Sequence, residues 1–182
     1  MKRISEKKLR ALAKTIKLLI LDVDGVLTDG GLLFDSKGTE LKQFHVRDGH
    51  GIKMLLKKGI RVALITGRDS QIVSRRAKEL GIEKRDVFQK SFDKKKAFRT
   101  LTRRYSLHRS EIAYMGDDIV DIPVLTLCGF PVTVADADDA VKKSAVLVTR
   151  ARGGRGAVRE VCDLFLKAKG LWQDILDEYT QA

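Results

Sequence analysis

The stretch LLILDVDGVLTDG, residues 18–30, decides the fold. Its apolar run ends in Asp22 and Asp24, which are one residue apart and are followed by glycine. Such a run is typical of a strand buried on both faces, as in a parallel sheet. Because two carboxylates this close repel each other, we expect the end of the strand to hold a cation or to carry chemistry.

Short β-branched, apolar segments alternate with amphipathic segments along the chain. The predicted strands are residues 16–21, 61–66, 112–115, 130–134 and 145–148. The predicted helices are residues 49–58, 70–80, 94–105, 119–127, 137–143, 155–169 and 171–179. This alternation predicts an α/β fold, a Rossmann-like doubly wound parallel sheet.

One segment interrupts the alternation. Residues 29–46 hold two β-like pieces around a turn centred on residues 36–38, which predicts an inserted β-hairpin flap. The intervals 25–60 and 67–93 leave no room for a cap domain beside the hairpin, the helices and a short strand. We therefore expect one domain over residues 1–182. Its parts are a basic N-terminal helix (1–15), the hairpin flap (29–46) and a C-terminal tail with helices (150–182).

Composition limits the classes of function. No apolar run approaches the roughly 18 residues of a membrane span, and no apolar segment follows the N-terminal basic residues as in a signal peptide. Cys128 and Cys162 lack the spacing of a metal or redox motif, which suits a reduced compartment. We expect a cytoplasmic protein with no membrane partner.

The net charge of +12 has three interpretations. Half of it lies in residues 1–17, with seven Lys or Arg against one Glu. A nucleic-acid site, attraction of an anionic substrate and a solvated basic helix all fit this charge. Because no zinc-finger spacing, aromatic RNA-binding motif or Gly-X-X-Gly clamp occurs, we expect no nucleic-acid partner.

Polar side chains follow the predicted strands at their carboxyl ends, where open parallel sheets bind ligands. They are Asp22, Asp24, Thr66, Asp117, Asp118 and Asp121, and Lys94 opens a predicted helix. Without His or Cys at ligand spacing, this set of hard oxygen donors predicts Mg²⁺. Mg²⁺, an aspartate nucleophile, an acid and a lysine suit phosphoryl transfer through an aspartyl-phosphate.

The motifs DVDGVLTDG, ITGR and GDDIVD, with a lysine between the second and third, resemble in this order the haloacid dehalogenase superfamily of phosphohydrolases. The resemblance implies that Asp22 is the nucleophile, and that Asp24 protonates the leaving alcohol and then activates water. It also implies that Thr66 hydrogen-bonds the phosphoryl group, while Lys94 neutralises charge. Lys95 and Lys96 remain alternatives to Lys94.

The same resemblance implies a metal site. Asp22, Asp117 and the backbone carbonyl of Asp24 would hold Mg²⁺. Asp118 and Asp121 would support them, and Asp117 or Asp118 would also cap the next helix.

Longer stretches are similar to the 3-deoxy-D-manno-octulosonate 8-phosphate phosphatase family. They are FHVRDGHGIKMLLKKGI (44–60), TGRDSQIVSRRAKELGI (66–82), YMGDDIVDIPVL (114–125), VTVADA (132–137) and RGGRGAVREVCD (152–163). This resemblance implies capless, Mg²⁺-dependent subunits in a homotetramer, a phosphorylated sugar acid as substrate and a role in lipopolysaccharide biosynthesis. Lys90 departs from the family pattern, which has glycine there.

A sugar acid phosphate carries a carboxylate and a phosphate, which arginine forks bind well. The candidate substrate-binding residues are Gly67, Arg68, Arg76, Arg47, Asp48 and Arg155. By resemblance, Arg68 favours the octulosonate over a nine-carbon sialic-acid-type sugar, whose phosphatases have an acidic residue there. A salt-bridged helix surface is the alternative role for Arg76, and a flexible connector is the alternative for residues 152–156, whose family counterpart reaches toward a neighbouring subunit.

Other functions stay open at this point. The chemistry also fits a phosphatase for a nine-carbon sugar phosphate or a broad sugar phosphatase. A signalling receiver also uses Asp, Thr, Lys and Mg²⁺, although its acidic pair precedes a separate phosphorylated Asp. The basic charge keeps a nucleic-acid-binding module as a further alternative.

Overall fold

The computed structural model describes residues 4–180. Its strands are β1 (Leu18–Leu21), β2 (Leu33–Phe34), β3 (Glu40–Leu41), β4 (Arg61–Ile65), β5 (Val87–Phe88), β6 (Ile112–Met115), β7 (Phe130–Thr133) and β8 (Leu147–Val148). Its α-helices are α1 (Glu6–Thr15), α2 (Val46–Lys57), α3 (Gln71–Leu80), α4 (Lys94–Arg104), α5 (Ile122–Leu125), α6 (Asp139–Ser144), α7 (Ala157–Ala168) and α8 (Trp172–Thr180). Residues 1–3 of the predicted N-terminal helix lie outside the described part.

Six strands form one sheet in the order β5-β4-β1-β6-β7-β8, and every pairing is parallel. The central strand β1 is buried along its whole length, as are β6 and β7. The chain adds strands first on one side of β1 and then on the other, which places the reversal of strand order beside β1. The predicted doubly wound α/β class is confirmed, and ligands of such sheets bind at this reversal, beyond the carboxyl ends of the strands.

Two groups of helices cover the sheet. Helices α1 and α2 both pack on α7, while α5 contacts both α4 and α6. The rings of Phe130 on β7 and Phe165 on α7 meet edge to face at 5.3 Å between centroids, which fixes α7 on the sheet. No helix among residues 4–180 combines the length and the apolar character that crossing a membrane requires.

Several element boundaries differ from the predictions, and α2 begins at Val46, three residues before the predicted start at residue 49. The first strand begins at Leu18 and the last at Leu147, two residues later than predicted in each case. The predicted helix over residues 119–127 divides into a 3-10 turn, Ile119–Asp121, and the short helix α5. The division has a local cause, because Asp118 and Asp121 cap the turn reciprocally and a proline follows in the first turn of α5.

The segment after β1 forms a two-stranded antiparallel hairpin, as predicted, in which Leu33 pairs with Leu41. At its turn, the Asp35 carboxylate accepts hydrogen bonds from the backbone N–H groups of Lys37 (2.9 Å) and Thr39 (2.8 Å). Between Asp24 and β4 the chain forms only this hairpin and α2. The hairpin thus occupies the place along the chain where a cap domain would be inserted.

Asp48 joins the start of α2 to the start of α7. Its side chain is 1% exposed, and its carboxylate accepts hydrogen bonds from the backbone N–H groups of Gly156 (3.2 Å) and Arg159 (2.7 Å). Burial raises the pKa of Asp48, although these hydrogen bonds oppose the shift. Asp48 therefore caps a helix more than a hundred residues further along the chain.

We expect Asp48→Ala to lower the free energy of unfolding by about 2 kcal/mol, because the free N–H groups of α7 lose their acceptor. Asp48→Asn keeps one acceptor oxygen and should cost less. Urea unfolding of both variants measures the difference. Equal stability of Asp48→Ala and the wild type would contradict the capping role.

Candidate active site

A cleft of about 350 Å³ lies at the carboxyl ends of β1, β4 and β6. It is lined by Asp22, Asp24, Gly30, Thr66, Gly67, Arg68, Ser91, Phe92, Lys94, Asp117, Asp118 and Val120. The parallel register of the sheet brings these residues together, since strands that are neighbours in space end at the same edge. Eight of the predicted site residues line this cleft.

Lys94 lies at the centre of the charged cluster. Its Nζ is 2.9 Å from Oδ2 of Asp22 and 2.7 Å from Oδ1 of Asp121, and all three side chains are buried. Burial opposes protonation, but the two carboxylates hold the pKa of Lys94 above its ordinary value. One buried cation thus balances part of the charge of two buried anions.

Local helix geometry selects Lys94 from its run of three lysines. Asp93 caps α4, and its carboxylate accepts hydrogen bonds from the backbone N–H groups of Lys95 and Lys96. Lys94 is therefore the first residue of the helix, with its side chain in the cleft, whereas Lys95 and Lys96 are exposed.

Asp121 joins the charged cluster to the loop after β6 through hydrogen bonds. Its Oδ2 accepts hydrogen bonds from the backbone N–H groups of Asp117 (3.1 Å) and Asp118 (3.2 Å). Its Oδ1 accepts hydrogen bonds from Lys94 and from the hydroxyl of Tyr114, a buried residue of β6. The sequence did not indicate Tyr114, because a tyrosine within an apolar strand has the same pattern as any core residue.

The carboxylates of Asp22, Asp117 and Asp121 lie close together, and because both oxygens of Asp121 already accept hydrogen bonds, Asp22 and Asp117 are the two that suit a hard divalent cation. One oxygen from each lies within 4.8 Å of the others, and Oδ1 of Asp117 is buried without a hydrogen-bond partner. Burial, with repulsion from Asp121, raises the pKa of Asp22 to about 7, against the influence of Lys94. Burial, with repulsion from Asp22 and Asp121, raises the pKa of Asp117 to about 7. A bound cation would relieve this repulsion and satisfy the unpartnered oxygen.

Gly25 makes room for Asp117. A Cβ at Gly25 would lie 2.0 Å from Oδ2 of Asp117, and the backbone of Gly25 has a φ of +87°, in the left-handed region. Glycine meets both requirements, which explains why the second aspartate of the opening motif is followed by glycine.

We expect Mg²⁺ to stabilise the protein more at pH 8 than at pH 6. Because the folded-state pKa values of Asp22 and Asp117 lie above those of unfolded carboxyls, the metal-free fold loses stability as the pH rises toward and through about 7. Mg²⁺ competes with protons for these oxygens, so its binding strengthens over the same range. At a hundredfold excess over its Kd it adds about 2.7 kcal/mol, or roughly 5–10 °C in Tm.

Thermal unfolding with and without MgCl₂ at both pH values measures this effect. Asp117→Asn is the control, because it removes the unpartnered carboxylate and should abolish most of the shift. A Mg²⁺-induced shift of equal size at pH 6 and pH 8 would contradict the assignment of the cation to these carboxylates.

The side chain of Asp24 faces the hairpin. Its carboxylate forms an ion pair with Lys42, which also lies 3.3 Å from Glu40. Glu40 in turn accepts a hydrogen bond of 2.8 Å from the guanidinium of Arg68. The hydroxyl of Thr66 accepts a hydrogen bond from the backbone N–H of Arg68 at 3.2 Å. Lys42 and Glu40 belong to the hairpin and were not among the predicted site residues.

Arg76 and Asp48 lie outside this cleft within one subunit. Arg76 packs its guanidinium over the ring of Phe44 at 5.6 Å and lies 3.4 Å from Glu79. This contact matches the salt-bridged surface that was the alternative role for Arg76. Asp48 caps α7, and its carboxylate is occupied by backbone N–H groups.

Arg47 and Arg155 line a second cavity of about 670 Å³. Nη2 of Arg155 lies 3.2 Å from the carboxylate of Asp29, at the base of the hairpin. Within one subunit, therefore, four of the six predicted substrate-binding residues lie away from Asp22, and only Gly67 and Arg68 line the cleft.

Residues 152–156 pack closely on the loop that follows β1. The N–H of Gly154 donates to the carbonyl of Val26 at 2.9 Å, and a Cβ at Gly153 would lie 1.8 Å from the carbonyl oxygen of Gly25. These glycines allow a close backbone approach within the same chain. This approach holds the loop that carries Asp24.

The loop before Lys94 contains a residue with left-handed backbone that is not glycine. Lys90 has a φ of +52°, in the left-handed region where glycine is favoured, which explains the glycine of the family pattern. The side chain of Lys90 lies 2.7 Å from Asp69 across the loop.

Comparison with known proteins agrees with this geometry. A sequence profile of haloacid dehalogenase-like hydrolases matches residues 83–160. Over 160 residues the chain is 48% identical to the 3-deoxy-D-manno-octulosonate 8-phosphate phosphatase KdsC of Escherichia coli strain K12, an alignment that covers 88% of this chain and 84% of that protein. The chain belongs to this phosphatase family.

Solved structures related to the 3-deoxy-D-manno-octulosonate 8-phosphate phosphatases share the fold. The Moraxella catarrhalis enzyme, in complex with magnesium, phosphate and a KDO molecule, has a TM-score of 0.92 and 40% identity, over 96% of this chain and 99% of that one. The Yersinia pestis enzyme has a TM-score of 0.88 and 44% identity, over 91% and 88%. The predicted family and its class, phosphoric monoester hydrolase, are confirmed.

Proposed function

We propose that this protein is a Mg²⁺-dependent phosphatase that hydrolyses 3-deoxy-D-manno-octulosonate 8-phosphate in the cytoplasm, for lipopolysaccharide biosynthesis. The observation that carries the proposal is the arrangement of Lys94 between Asp22 and Asp121, beside the unpartnered oxygen of Asp117. The magnesium, phosphate and KDO bound by the Moraxella catarrhalis relative support the choice of cofactor and substrate.

In the first step, an Asp22 carboxylate oxygen attacks the phosphorus of the substrate. The bond from phosphorus to the sugar oxygen breaks, and that oxygen takes a proton from Asp24. Lys94 and the hydroxyl of Thr66 balance the charge that develops on the phosphoryl oxygens. The free sugar acid leaves, and the phosphoryl group remains on Asp22.

In the second step, water attacks the phosphorus while Asp24 accepts its proton. The bond between phosphorus and the Asp22 oxygen breaks, which releases inorganic phosphate and regenerates the carboxylate. Mg²⁺, held by Asp22, Asp117 and the backbone carbonyl of Asp24, would supply charge neutralisation and orientation of the phosphoryl group. Asp121 and Asp118 hold the loop that carries Asp117.

We assign substrate recognition to arginines from more than one subunit. Arg68 lines the cleft next to the phosphoryl site and suits the substrate carboxylate. Arg76, Arg47 and Arg155 lie outside the cleft of their own subunit, where they would serve a neighbouring one.

The exposed apolar side chains of the hairpin support assembly into a homotetramer. Leu32, Leu33, Phe34 and Leu41 are 48–60% exposed on a two-stranded ribbon whose edges are unpaired within the described chain. Apolar residues and free strand edges together favour pairing with another copy. Sedimentation of the wild type against Leu33→Lys tests this: we expect a tetramer that dissociates in the variant, and a monomeric wild type would contradict it.

Comparison of kcat/KM over a substrate panel tests the proposed reaction. The panel is the octulosonate 8-phosphate, a nine-carbon sialic-acid-type sugar phosphate and 4-nitrophenyl phosphate, each with Mg²⁺ and with EDTA. We expect a Mg²⁺-dependent preference for the octulosonate. Equal, weak activity on all three substrates would be consistent with Asp22 as nucleophile but would reject the octulosonate 8-phosphate as the specific substrate. No phosphate release from any of them would reject the phosphatase function.

A further inference from the structure

One lysine of the hairpin contacts a carboxylate that lines the cleft. Lys42 follows β3, its side chain is 2% exposed, and its ammonium contacts the carboxylates of Asp24 and Glu40. Lysine is rarely buried to this degree unless its charge is paired, so the two carboxylates account for its position. Asp24 and Glu40 are themselves largely buried, with side chains 23% and 17% exposed.

The contacts of Lys42 continue to the other side of the cleft. Glu40 accepts a hydrogen bond from Arg68, whose backbone follows β4. Asp24, Lys42, Glu40 and Arg68 thus form a row of alternating charges that joins the loop after β1, the hairpin and the loop after β4. Alternating charges within contact distance in a partly buried setting hold each other in one arrangement.

We propose that Lys42 is a positioning residue, which holds the carboxylate of Asp24 in the direction of the leaving oxygen and couples the hairpin to Arg68. This inference rests on the proposed phosphatase function. Asp24 has to deliver a proton to the leaving oxygen and later accept one from water, and both transfers need the carboxylate at hydrogen-bond distance from the reacting atom. A carboxylate on a loop gains that geometry from a fixed partner.

The leaving group distinguishes positioning of Asp24 from general support of the fold. When the bond from phosphorus to a sugar oxygen breaks, its electron pair stays on an alkoxide that needs a proton. A 4-nitrophenyl leaving group departs as a stable phenolate and needs little protonation. Because kcat/KM reports the steps up to transfer of the phosphoryl group to Asp22, misplaced Asp24 lowers it for alkyl phosphates and spares it for the aryl phosphate.

The test is Lys42→Met, assayed with an alkyl sugar phosphate and with 4-nitrophenyl phosphate. We expect kcat/KM to fall by about 10²-fold for the alkyl substrate and by less than about threefold for the aryl substrate. In an Asp24→Asn background the same change should add little, because both act on one proton transfer. Lys37→Met is the matched control, a lysine on the same hairpin that is exposed at the turn.

Equal losses on the two substrates, or losses that add fully to those of Asp24→Asn, would overturn the proposal. If Lys42→Met does not fold, Lys42→Arg replaces it: it keeps the charge at a different reach, and it should show the same dependence on the leaving group at smaller size. If the wild type hydrolyses other sugar phosphates and not the octulosonate, the proposed substrate fails, and the Lys42 test proceeds on the sugar phosphate that it does hydrolyse.

Discussion

Asp22→Asn is expected to lower kcat by more than about 10⁴-fold on every phosphate ester, because an amide oxygen cannot form the phospho-enzyme. The substitution is nearly isosteric, and it removes a carboxylate whose pKa burial raises to about 7. The metal-free variant should therefore keep its Tm at pH 8 while losing its activity. Stopped and continuous phosphate-release assays measure the first effect, and thermal unfolding measures the second.

Asp139→Asn is the matched control for this variant. Asp139 has a side chain that is 89% exposed in the first turn of α6, away from the cleft. Its conversion to asparagine should leave kcat within about twofold of the wild type, as for surface substitutions in general. Substantial turnover by Asp22→Asn would contradict the nucleophile assignment, and loss of its folded structure would contradict the expected Tm.

Lys94→Met should cost both activity and stability. The buried ammonium faces Asp22 and Asp121 at 2.9 and 2.7 Å, and its loss leaves two buried carboxylates without their cation. Removal of one partner of a buried ion pair typically costs about 3–5 kcal/mol. Removal of a charge that stabilises the transferring phosphoryl group costs about 10²–10³-fold in kcat.

The stability loss in Lys94→Met should depend on pH. The pKa of Asp22 is already near 7 with the lysine present, so acidification below that value protonates the carboxyl and removes the unpaired charge. Urea unfolding at pH 8 and pH 5.5 should show the larger loss at pH 8. Lys95→Met is the control, since Lys95 is the exposed next residue of the same helix. A loss of equal size in both lysine variants would contradict the role given to Lys94.

The parts of the site that local sequence determines were predictable. Asp22 follows β1 directly and Asp117 follows β6 after one glycine, and neighbouring parallel strands bring such positions to one edge. Lys94 was preferred among three lysines because the family pattern and the predicted start of the helix favour it, and α4 does begin at Lys94. In these cases the distance along the chain from the end of a regular element fixes where the side chain lies.

The parts that depend on how distant segments fold back were not predictable. Lys42 contacts Asp24 because the hairpin folds back toward the loop after β1. The order of residues in the hairpin does not indicate this direction. Asp48 was predicted to bind substrate. Its carboxylate accepts a hydrogen bond from the start of α7, more than a hundred residues later in the chain. Tyr114 belongs to an apolar strand, and only its neighbour Asp121 gives its hydroxyl a role.

The most direct test of this account is to identify the residue that carries the phosphoryl group. The wild type, mixed with Mg²⁺ and the octulosonate 8-phosphate and quenched in acid within its first turnovers, would be digested and its peptides analysed by mass spectrometry. We expect the added mass of one phosphoryl group on Asp22, in the peptide that contains residues 18–30, and none in Asp22→Asn. Rapid turnover with no phosphorylated aspartate, or a phosphoryl group on another residue, would contradict the central claim.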